Sequence, residues 1–261
     1  MSEGLVLVER SNGVAIVTMN RPDRLNALNG EIMADLRVAI QDVADDPDVG
    51  CVVLTGAGRG FCAGGDLKDG GGSRSASVTR ETGGRTEQGF ARLRGQMESA
   101  RLLHEMPKPT IAMVNGPVAG AGIGLAGACD LRFASESATF FAAFDRIGAG
   151  GDFGSTWFWT KILGTGMARE IFFLGEKLSG EEAYKKGVYT RLFSDETLRD
   201  ATLEAAQKLA DGPRMGYRYM KKNLNMAEDS AFEAALDHEA LNMTLSTQAT
   251  AQIWKAENKK D

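Results

Sequence analysis

Two glycine-rich stretches contain the first residues whose types and spacing could do chemistry. One covers residues 61–66 (Phe-Cys-Ala-Gly-Gly-Asp), the other covers residues 119–122 (Ala-Gly-Ala-Gly), and each follows a short apolar run. Small side chains let a ligand approach the backbone closely, and unpaired N–H groups at the start of a helix favour negative charge. If the two stretches meet across a cleft, they would form a two-donor oxyanion hole. Tight packing of a helix on a strand explains either stretch equally well when it is taken alone.

A third pattern, Gly-x-Gly-x-x-Gly over residues 122–127, is typical of dinucleotide-binding proteins, and Asp145 follows at a suitable distance. In a dinucleotide-binding unit the glycines follow their strand directly, whereas residues 115–121 intervene here. The sequence also contains no Gly-Lys pair and therefore no Walker A loop. We expect these glycines to bind neither a nicotinamide nor a Walker-type phosphate.

The composition limits which side chains could carry protons or metals. Only two of the 261 residues are histidines, His104 and His238, so a histidine-built metal centre is not expected and a carboxylate is the favoured acid–base group. Three cysteines without Cys-x-x-Cys spacing predict neither a disulfide framework nor a zinc site. We expect Cys62 and His104 to be packing residues. The net charge of −5 gives no support to nucleic-acid binding, and without a recognisable signal or membrane-spanning run the protein is expected to be cytoplasmic.

Alternating strand and helix patterns predict the elements that must position these residues. Residues 5–9 and 14–19 alternate in hydropathy on either side of an Asn-Gly pair, which predicts a β-hairpin. Apolar residues recur at helical spacing after Asn29, a good N-cap, and residues 51–54 are predicted to form a buried strand.

The same alternation occurs a second time. A helix that ends before Pro107 precedes a buried strand at residues 110–114 and a helix that starts at residue 120. Further short strands are predicted at residues 131–134, 139–141 and 188–193.

The organisation of the whole chain follows from these patterns. We expect a core formed by residues 1–195 and a helical C-terminal subdomain formed by residues 196–261. Residues 69–89 are rich in glycine, serine and mixed charge, which indicates either a surface loop or a lid over the site.

Three longer blocks resemble one known family. They are Arg-Pro-Asp-Arg-Leu-Asn-Ala-Leu at residues 21–28, Leu-Thr-Gly-Ala-Gly-Arg-Gly-Phe-Cys-Ala-Gly-Gly-Asp at residues 54–66 and Lys-Pro-Thr-Ile-Ala-Met-Val-Asn-Gly at residues 108–116. In this order and spacing they resemble the crotonase superfamily of enoyl-CoA hydratases and isomerases, over essentially the whole chain. The resemblance implies an α/β fold, a crotonase-type spiral of ββα units with a helical C-terminal subdomain, assembled as a homotrimer or a dimer of trimers. It also implies an acyl-CoA thioester substrate and no separate cofactor, since coenzyme A is part of the substrate.

Matching motif positions implies a set of site residues. The backbone N–H groups of Ala63 and Ala121 are implied to hold the thioester oxygen while it gains enolate charge. Other positions are implied to line the substrate groove: Arg24, Ala27, Gly64, Gly65, Asp66, Leu67, Gly120 and Phe144. Lys221 and Lys222 could meet a CoA phosphate, although two lysines on a late helix are more often a solvated face. No metal site is implied.

The acidic positions decide which reaction is implied. Hydratases of this family carry two glutamates that orient and activate water, and these positions hold Gly124 and Phe144 in this sequence. Neither side chain can transfer a proton, so hydration by the usual mechanism is not expected. Asp152 is the acid that remains in reach, and its position resembles the aspartate of ring-1,2-epoxyphenylacetyl-CoA isomerases and dienoyl-CoA isomerases. Residues 149–151 depart from those isomerases, which leaves the acyl group open.

A lone carboxylate suits an isomerase, because one group can remove a proton next to the thioester and return it elsewhere without water. The sequence therefore predicts an acyl-CoA isomerase that moves a double bond or rearranges a ring epoxide. An enoyl-CoA hydratase with a displaced acid and a non-catalytic acyl-CoA-binding scaffold are the alternatives.

The sequence around Asp152 predicts the environment of its carboxylate. Four aromatic residues lie between residues 141 and 157, and if they also surround the carboxylate in space, desolvation should raise its pKa. An N-cap role at the following helix is the alternative for this side chain. Asp145 is the competing acid, one residue away from the aligned glutamate position.

Overall fold

The computed structural model describes residues 4–68 and 83–257, and this part of the chain begins with the predicted hairpin. Strands β1 (Val6–Ser11) and β2 (Val14–Met19) pair in antiparallel fashion. The Asn12 and Gly13 residues between them adopt φ angles of 50° and 80°, as the two-residue turn of such a hairpin requires. The hairpin prediction is confirmed.

Parallel strands extend the hairpin into a six-stranded sheet. After β2 come β3 (Cys51–Gly56), β4 (Thr110–Val114), β6 (Leu131–Ser135) and β9 (Arg191–Phe193), each parallel to the strand before it in the sheet. Strands β3 and β4 are buried along their whole length, which explains their largely apolar sequences. Strand β9 begins later than predicted, because the apolar residues that precede it pack into the core without joining the ladder.

A second, smaller sheet fixes the start of one glycine-rich stretch. It consists of β5 (Val118–Ala119), β7 (Thr139–Phe141) and β8 (Leu178–Ser179), in the order β5-β7-β8. Strands β5 and β8 were not predicted, since two residues are too few to show a hydropathy period.

Helices connect and cover the strands. In chain order they are α1 (Gly30–Asp45), α2 (Gly83–Gln96), α3 (Glu98–Glu105), α4 (Ala121–Ala128), α5 (Ser155–Leu174), α6 (Gly180–Lys185), α7 (Leu198–Ala210), α8 (Arg214–Ala227) and α9 (Phe232–Glu257). Asn29 caps α1 as predicted, its side chain accepting a hydrogen bond from the Ile32 amide. The single helix predicted before Pro107 is two helices, α2 and α3, and Gly95, a poor helix former, lies just before the break.

Helix α4 is the buried centre of the fold. All of its residues are buried, and they are small or aliphatic, so neighbouring elements can approach its backbone closely. The indole Nε1–H of Trp159 in α5 donates to the carbonyl oxygen of Ile123 at 3.1 Å. Because α4 begins at the second glycine-rich stretch, this packing holds that stretch in place.

The C-terminal helices differ in what they contact. Leu198, Ala206 and Ala210 of α7 share a hydrophobic cluster with Ile111 and Phe133 of the six-stranded sheet. Helices α8 and α9 pack on each other, and α8 also contacts α3. The predicted boundary at residue 195 stays a prediction. Among the described helices, none combines the length and the apolar character that crossing a bilayer demands.

Candidate active site

The two glycine-rich stretches meet in the structure. Gly64 has a φ angle of 89° and Gly120 one of 51°, conformations that side-chain-bearing residues rarely adopt. A Cβ atom on Gly64 would lie 2.9 Å from the carbonyl oxygen of Ala119 and 3.2 Å from the Cα atom of Gly120. A parallel bridge between Cys62 and Val118 holds the stretches together. Backbone contact between the two stretches therefore depends on glycine at both positions.

Where the two glycine-rich stretches meet, some backbone amides already donate a hydrogen bond and others do not. The Ala63 N–H donates to the carbonyl oxygen of Leu25 at 2.9 Å, so the donor predicted from sequence is already committed. The assignment of Ala63 as an oxyanion donor is therefore corrected. Within residues 4–68 and 83–257, the amides of Gly65 and Ala121 have no hydrogen-bond partner. Ala121 is the first residue of α4, where amide groups lack partners within the helix.

The turn before α1 lies against the first stretch. Arg21 forms an ion pair with Asp66, with 3.0 Å between Nη2 and Oδ2, and also donates to the Ala27 carbonyl oxygen. Asp66 is buried and also accepts from the Lys68 amide at 3.0 Å. The Asp66 carboxylate thus holds together the turn before α1 and the end of the first glycine-rich stretch, the segments predicted to line the substrate groove. Arg24, also predicted to line the groove, is exposed on the short helical turn that ends there.

Asn26 supports the same turn from inside. It has a φ angle of 57°, is fully buried, and donates to the carbonyl oxygens of Ala57 and Gly60. Its Oδ1 atom accepts from the Arg21 amide at 2.8 Å. Sequence reasoning missed this residue, although it lies within the first of the three resembling blocks.

The two positions that hydratases fill with glutamate are closed by packing. A Cβ atom on Gly124 would lie 2.6 Å from the carbonyl oxygen of Phe153 and 2.7 Å from its Cβ atom. Phe144 is buried and stacks on Phe172, with ring centroids 5.8 Å apart and planes 13° apart. Phe144 lines a cavity of about 480 Å³ that also contacts Gly150, and nothing in this arrangement offers an acid at either position.

Asp152 sits in a turn of unusual backbone conformation. Gly151, Phe153 and Gly154 all have positive φ angles, of 99°, 48° and 72°. Conformations of this kind cost energy in residues other than glycine and are concentrated at functional sites. The N-cap position of α5 belongs to Gly154, and no side chain caps the helix, so the N-cap alternative for Asp152 is wrong. Only its backbone carbonyl serves the helix, by accepting from the Ser155 amide at 2.9 Å.

The carboxylate of Asp152 is partly removed from water, and no hydrogen bond from the described residues stabilises its buried oxygen. Its Oδ1 atom is buried without a hydrogen-bond partner in the described part of the chain. Burial raises the pKa of Asp152 to about 6, and no charge contributes to the shift. The predicted direction of the pKa shift is confirmed. A carboxylate in this state is a stronger base than an ordinary aspartate.

The aromatic residues expected around Asp152 divide between two places instead of forming one cluster. Trp157 packs against His104 and Phe158, with ring centroids 5.3 and 5.1 Å away. Phe144 lies with Phe172, as described above. The carbonyl and Cβ atoms of Phe153, the immediate neighbour of Asp152, pack on α4, so this residue closes the turn from one side.

A large cavity reaches the Asp152 turn from the other side. It has a volume of about 1060 Å³ and lies between α3, the first turn of α5 and α8. Phe153 and Gly154, which directly follow Asp152, contribute to its wall. Gly65, Ala121 and the Asp152 side chain do not line it.

The remaining candidates have structural roles. Asp145 is exposed, and its carboxylate faces Gly175 at the end of α5. Lys221 is buried and donates to Asp130 Oδ2 at 2.8 Å, so the CoA-phosphate alternative for this lysine is wrong. The Cys62 thiol donates to the Asn26 carbonyl oxygen, and burial raises its pKa to about 12, as expected of a packing residue.

Comparisons with known proteins agree on the family. A model of the enoyl-CoA hydratase/isomerase family matches residues 9–258. The chain is 38% identical to a 1,2-epoxyphenylacetyl-CoA isomerase of Escherichia coli K12, over 90% of this chain and 87% of that protein. It is 31% identical to 4-chlorobenzoyl coenzyme A dehalogenase-1 of an Arthrobacter species, over 94% and 86% of the two chains. The crystal structure of an enoyl-CoA hydratase subunit from Geobacillus kaustophilus superposes with a TM-score of 0.85 at 29% identity, covering 98% and 95%.

Proposed function

Because the chain belongs to the enoyl-CoA hydratase/isomerase family and has its crotonase fold, we propose that it is an acyl-CoA isomerase whose proton carrier is Asp152. The observation that carries the proposal is the state of this carboxylate. Asp152 is half-buried, its Oδ1 atom is buried without a hydrogen-bond partner among the described residues, and burial raises its pKa to about 6. Such a group removes a proton at neutral pH and can return it, because its pKa lies near the working pH.

The thioester is held, in this proposal, at the junction of the two glycine-rich stretches. The Gly65 and Ala121 amides are the free donors there, so Gly65 takes the place of Ala63 while Ala121 keeps the role expected from sequence. Donors aimed at an oxygen that gains charge stabilise the enolate more than the ground-state thioester. Gly64 and Gly120 provide the backbone conformations that bring the two donors together.

Proton transfer then completes the reaction within one molecule of substrate. Asp152 takes a proton from a carbon conjugated with the thioester, and negative charge moves onto the thioester oxygen. The same carboxyl group returns the proton at another carbon, so atoms and charge balance without water. Double-bond migration fits these steps directly. Rearrangement of a ring epoxide needs one further step, in which a bond of the three-membered ring breaks and its electrons remain within the substrate, so no atom is gained or lost. The similarity to a 1,2-epoxyphenylacetyl-CoA isomerase supports an acyl group that contains a six-membered carbon ring.

Binding of coenzyme A is proposed along the turn before α1. Arg24 and Leu67 are exposed there, while Ala27 and Asp66 shape the backbone between them. No cofactor beyond the coenzyme A of the substrate is needed for this chemistry.

Assembly as a homotrimer or a dimer of trimers and a cytoplasmic location complete the proposal. Large apolar side chains on the last two helices support a subunit contact: Leu224, Phe232 and Met243 are 68%, 74% and 65% exposed. Light scattering of the purified protein tests the assembly, and a monomeric mass would contradict it.

Two other functions compete with isomerisation. A hydratase with a displaced acid would need a water-activating pair, and the two positions that hydratases fill with glutamate hold Gly124 and Phe144, which are closed by packing. A non-catalytic scaffold would bind acyl-CoA without turnover, which gives no reason for a desolvated carboxylate.

Turnover assays separate these functions. Enoyl- and epoxy-acyl-CoA esters with aliphatic and aromatic acyl groups, together with 4-chlorobenzoyl-CoA, are offered to the enzyme and the products are analysed by mass and absorbance. Unchanged mass with a shifted spectrum is expected. A gain of one water indicates a hydratase, release of chloride indicates a dehalogenase, and binding without turnover indicates a scaffold.

A further inference from the structure

The large cavity beside the Asp152 turn has an aromatic wall to which the proposed proton transfer assigns no role. His104 lies with its ring centroid 5.3 Å from those of both Trp157 and Phe158. All three side chains line the cavity, as does Phe153 from the turn itself. Rings at these distances and tilts favour another flat ring beside them. The wall therefore suits an aromatic group better than a flexible aliphatic chain.

His104 is the polar group within this wall. Neither ring nitrogen makes a hydrogen bond to another described residue, while its backbone carbonyl accepts from Asn225 Nδ2 at 2.9 Å and fixes the residue in place. The Nε2 atom lies 3.4 Å from Glu228 Oε2, slightly beyond a normal hydrogen bond. That carboxylate oxygen is itself buried without a hydrogen-bond partner in the described part of the chain.

The position of Glu228 determines how the imidazole can interact with a ligand. A carboxylate next to Nε2 stabilises the tautomer with its proton on Nε2, which leaves Nδ1 as a hydrogen-bond acceptor. Burial lowers the pKa of His104, which favours the neutral ring. An acceptor at this place matches a hydroxyl donor on the ligand.

We propose that this cavity receives the acyl group of the substrate and that His104 selects hydroxylated aromatic acyl groups by accepting a hydrogen bond from the ring hydroxyl. The inference rests on the acyl-CoA function proposed above and adds to it a substrate class and a specificity residue. The volume of about 1060 Å³ leaves ample room for a substituted ring. Phe153 and Gly154, the two residues that directly follow Asp152, are where the cavity adjoins the proposed catalytic residues.

Binding of unreactive thioesters tests the inference independently of turnover. The ligands are 3-phenylpropanoyl-CoA and its three ring-hydroxylated isomers, whose saturated side chains contain no double bond to move. By titration calorimetry, at least one hydroxylated isomer is expected to bind the wild-type protein about three- to tenfold more tightly than the unsubstituted ester, as one neutral hydrogen bond contributes.

Substitutions of residues in and near the aromatic wall test whether His104 causes the preference for the hydroxyl group. His104→Phe keeps a flat ring, so affinity for the unsubstituted ester is expected within about twofold of wild type while the hydroxyl preference disappears. Glu228→Gln is expected to weaken the preference by a smaller factor, and it provides a second measurement if His104→Phe folds poorly. Met97→Leu, a volume-conserving change elsewhere in the cavity, serves as the matched control and should affect all four ligands alike.

The outcomes distinguish this inference from the proposed function. Equal affinity of the wild-type protein for all four esters, or a preference that survives in His104→Phe, overturns the role of His104 while acyl-CoA binding stands. Failure of every ester to bind overturns the proposed function itself and this inference with it.

Discussion

The backbone of Phe153 lies against Gly124 so closely that a Cβ atom on the glycine would come within 2.6 Å of the Phe153 carbonyl oxygen. This contact is possible because Phe153 adopts a φ angle of 48° and because α4 consists of small and aliphatic residues. This close packing also limits which chemistry the site can perform. The position at which the family resemblance places a hydratase glutamate has no room for any side chain.

Gly124→Glu is therefore expected to destabilise the protein and not to create a hydratase. The new side chain would collide with backbone atoms, which cannot move aside cheaply, and overpacking of a core costs about 1–3 kcal/mol or more. Urea unfolding measures the loss, and product mass measures hydration. Gly150→Glu is the matched control, since nothing lies within 4 Å of a Cβ atom there and it should be tolerated. A stable Gly124→Glu enzyme that adds water would contradict the packing argument.

Sequence patterns predicted the elements and the meeting of the two glycine-rich stretches better than the detail of the site. Each stretch follows an apolar strand, and parallel strands bring their carboxyl ends to one edge of a sheet, so proximity could be inferred. The sequence could not show which amide is free, because the Ala63 N–H donates to the carbonyl oxygen of Leu25 in another segment. The role of Lys221 could not be inferred from the sequence either, because its partner Asp130 is 91 residues away.

Asp152→Asn is expected to alter stability in a pH-dependent way. Burial raises the pKa of this carboxyl group to about 6 in the folded protein, above its value in the unfolded chain. Wild-type stability therefore includes a contribution that is fully present below the unfolded pKa and is lost as the pH rises through about 6. Relative to wild type, the asparagine variant should gain about 2 kcal/mol between pH 4 and pH 7. Urea unfolding at several pH values measures this, and a constant difference would contradict it.

The rate of the wild-type enzyme is expected to depend on the same ionisation. The base must be deprotonated, so kcat/KM should rise as the pH increases through about 6 and level off above it. A profile measured between pH 4.5 and 8 checks this expectation. His104→Phe should keep the same profile, which separates Asp152 from the nearby imidazole. A flat wild-type profile across this range would contradict the assignment of Asp152 as the base.

Gly64→Ala is expected to lower kcat and also to cost some stability. Alanine is strained at a φ angle of 89°, and its methyl group would lie 2.9 Å from the Ala119 carbonyl oxygen, so the two stretches must move apart. Misplacing one oxyanion donor lowers kcat by roughly a hundred- to a thousandfold. Gly30→Ala, at the start of α1 with nothing within 4 Å, is the matched control and should leave kcat unchanged. Unaltered kcat in Gly64→Ala would count against an oxyanion hole at this junction.

Lys221→Met is expected to lower stability. Although Lys221 lines the large cavity, its ammonium group is bound to protein acceptors, so little change is expected in the binding of CoA esters. The Lys221 ammonium donates to the carbonyl oxygens of Leu103 and Lys108 and to Asp130 Oδ2, so its removal leaves the two carbonyl oxygens without this donor, while Asp130 Oδ2 still accepts from Thr110. Because Lys221 is buried while Asp130 is partly exposed, the loss is expected to be about 1–3 kcal/mol, the cost of leaving buried acceptors without a donor. Lys222→Met, which changes the exposed neighbour, should stay within about 0.5 kcal/mol of wild type. Urea unfolding and KM measure the two effects, and a raised KM with unchanged stability in Lys221→Met would return this lysine to the CoA-phosphate role.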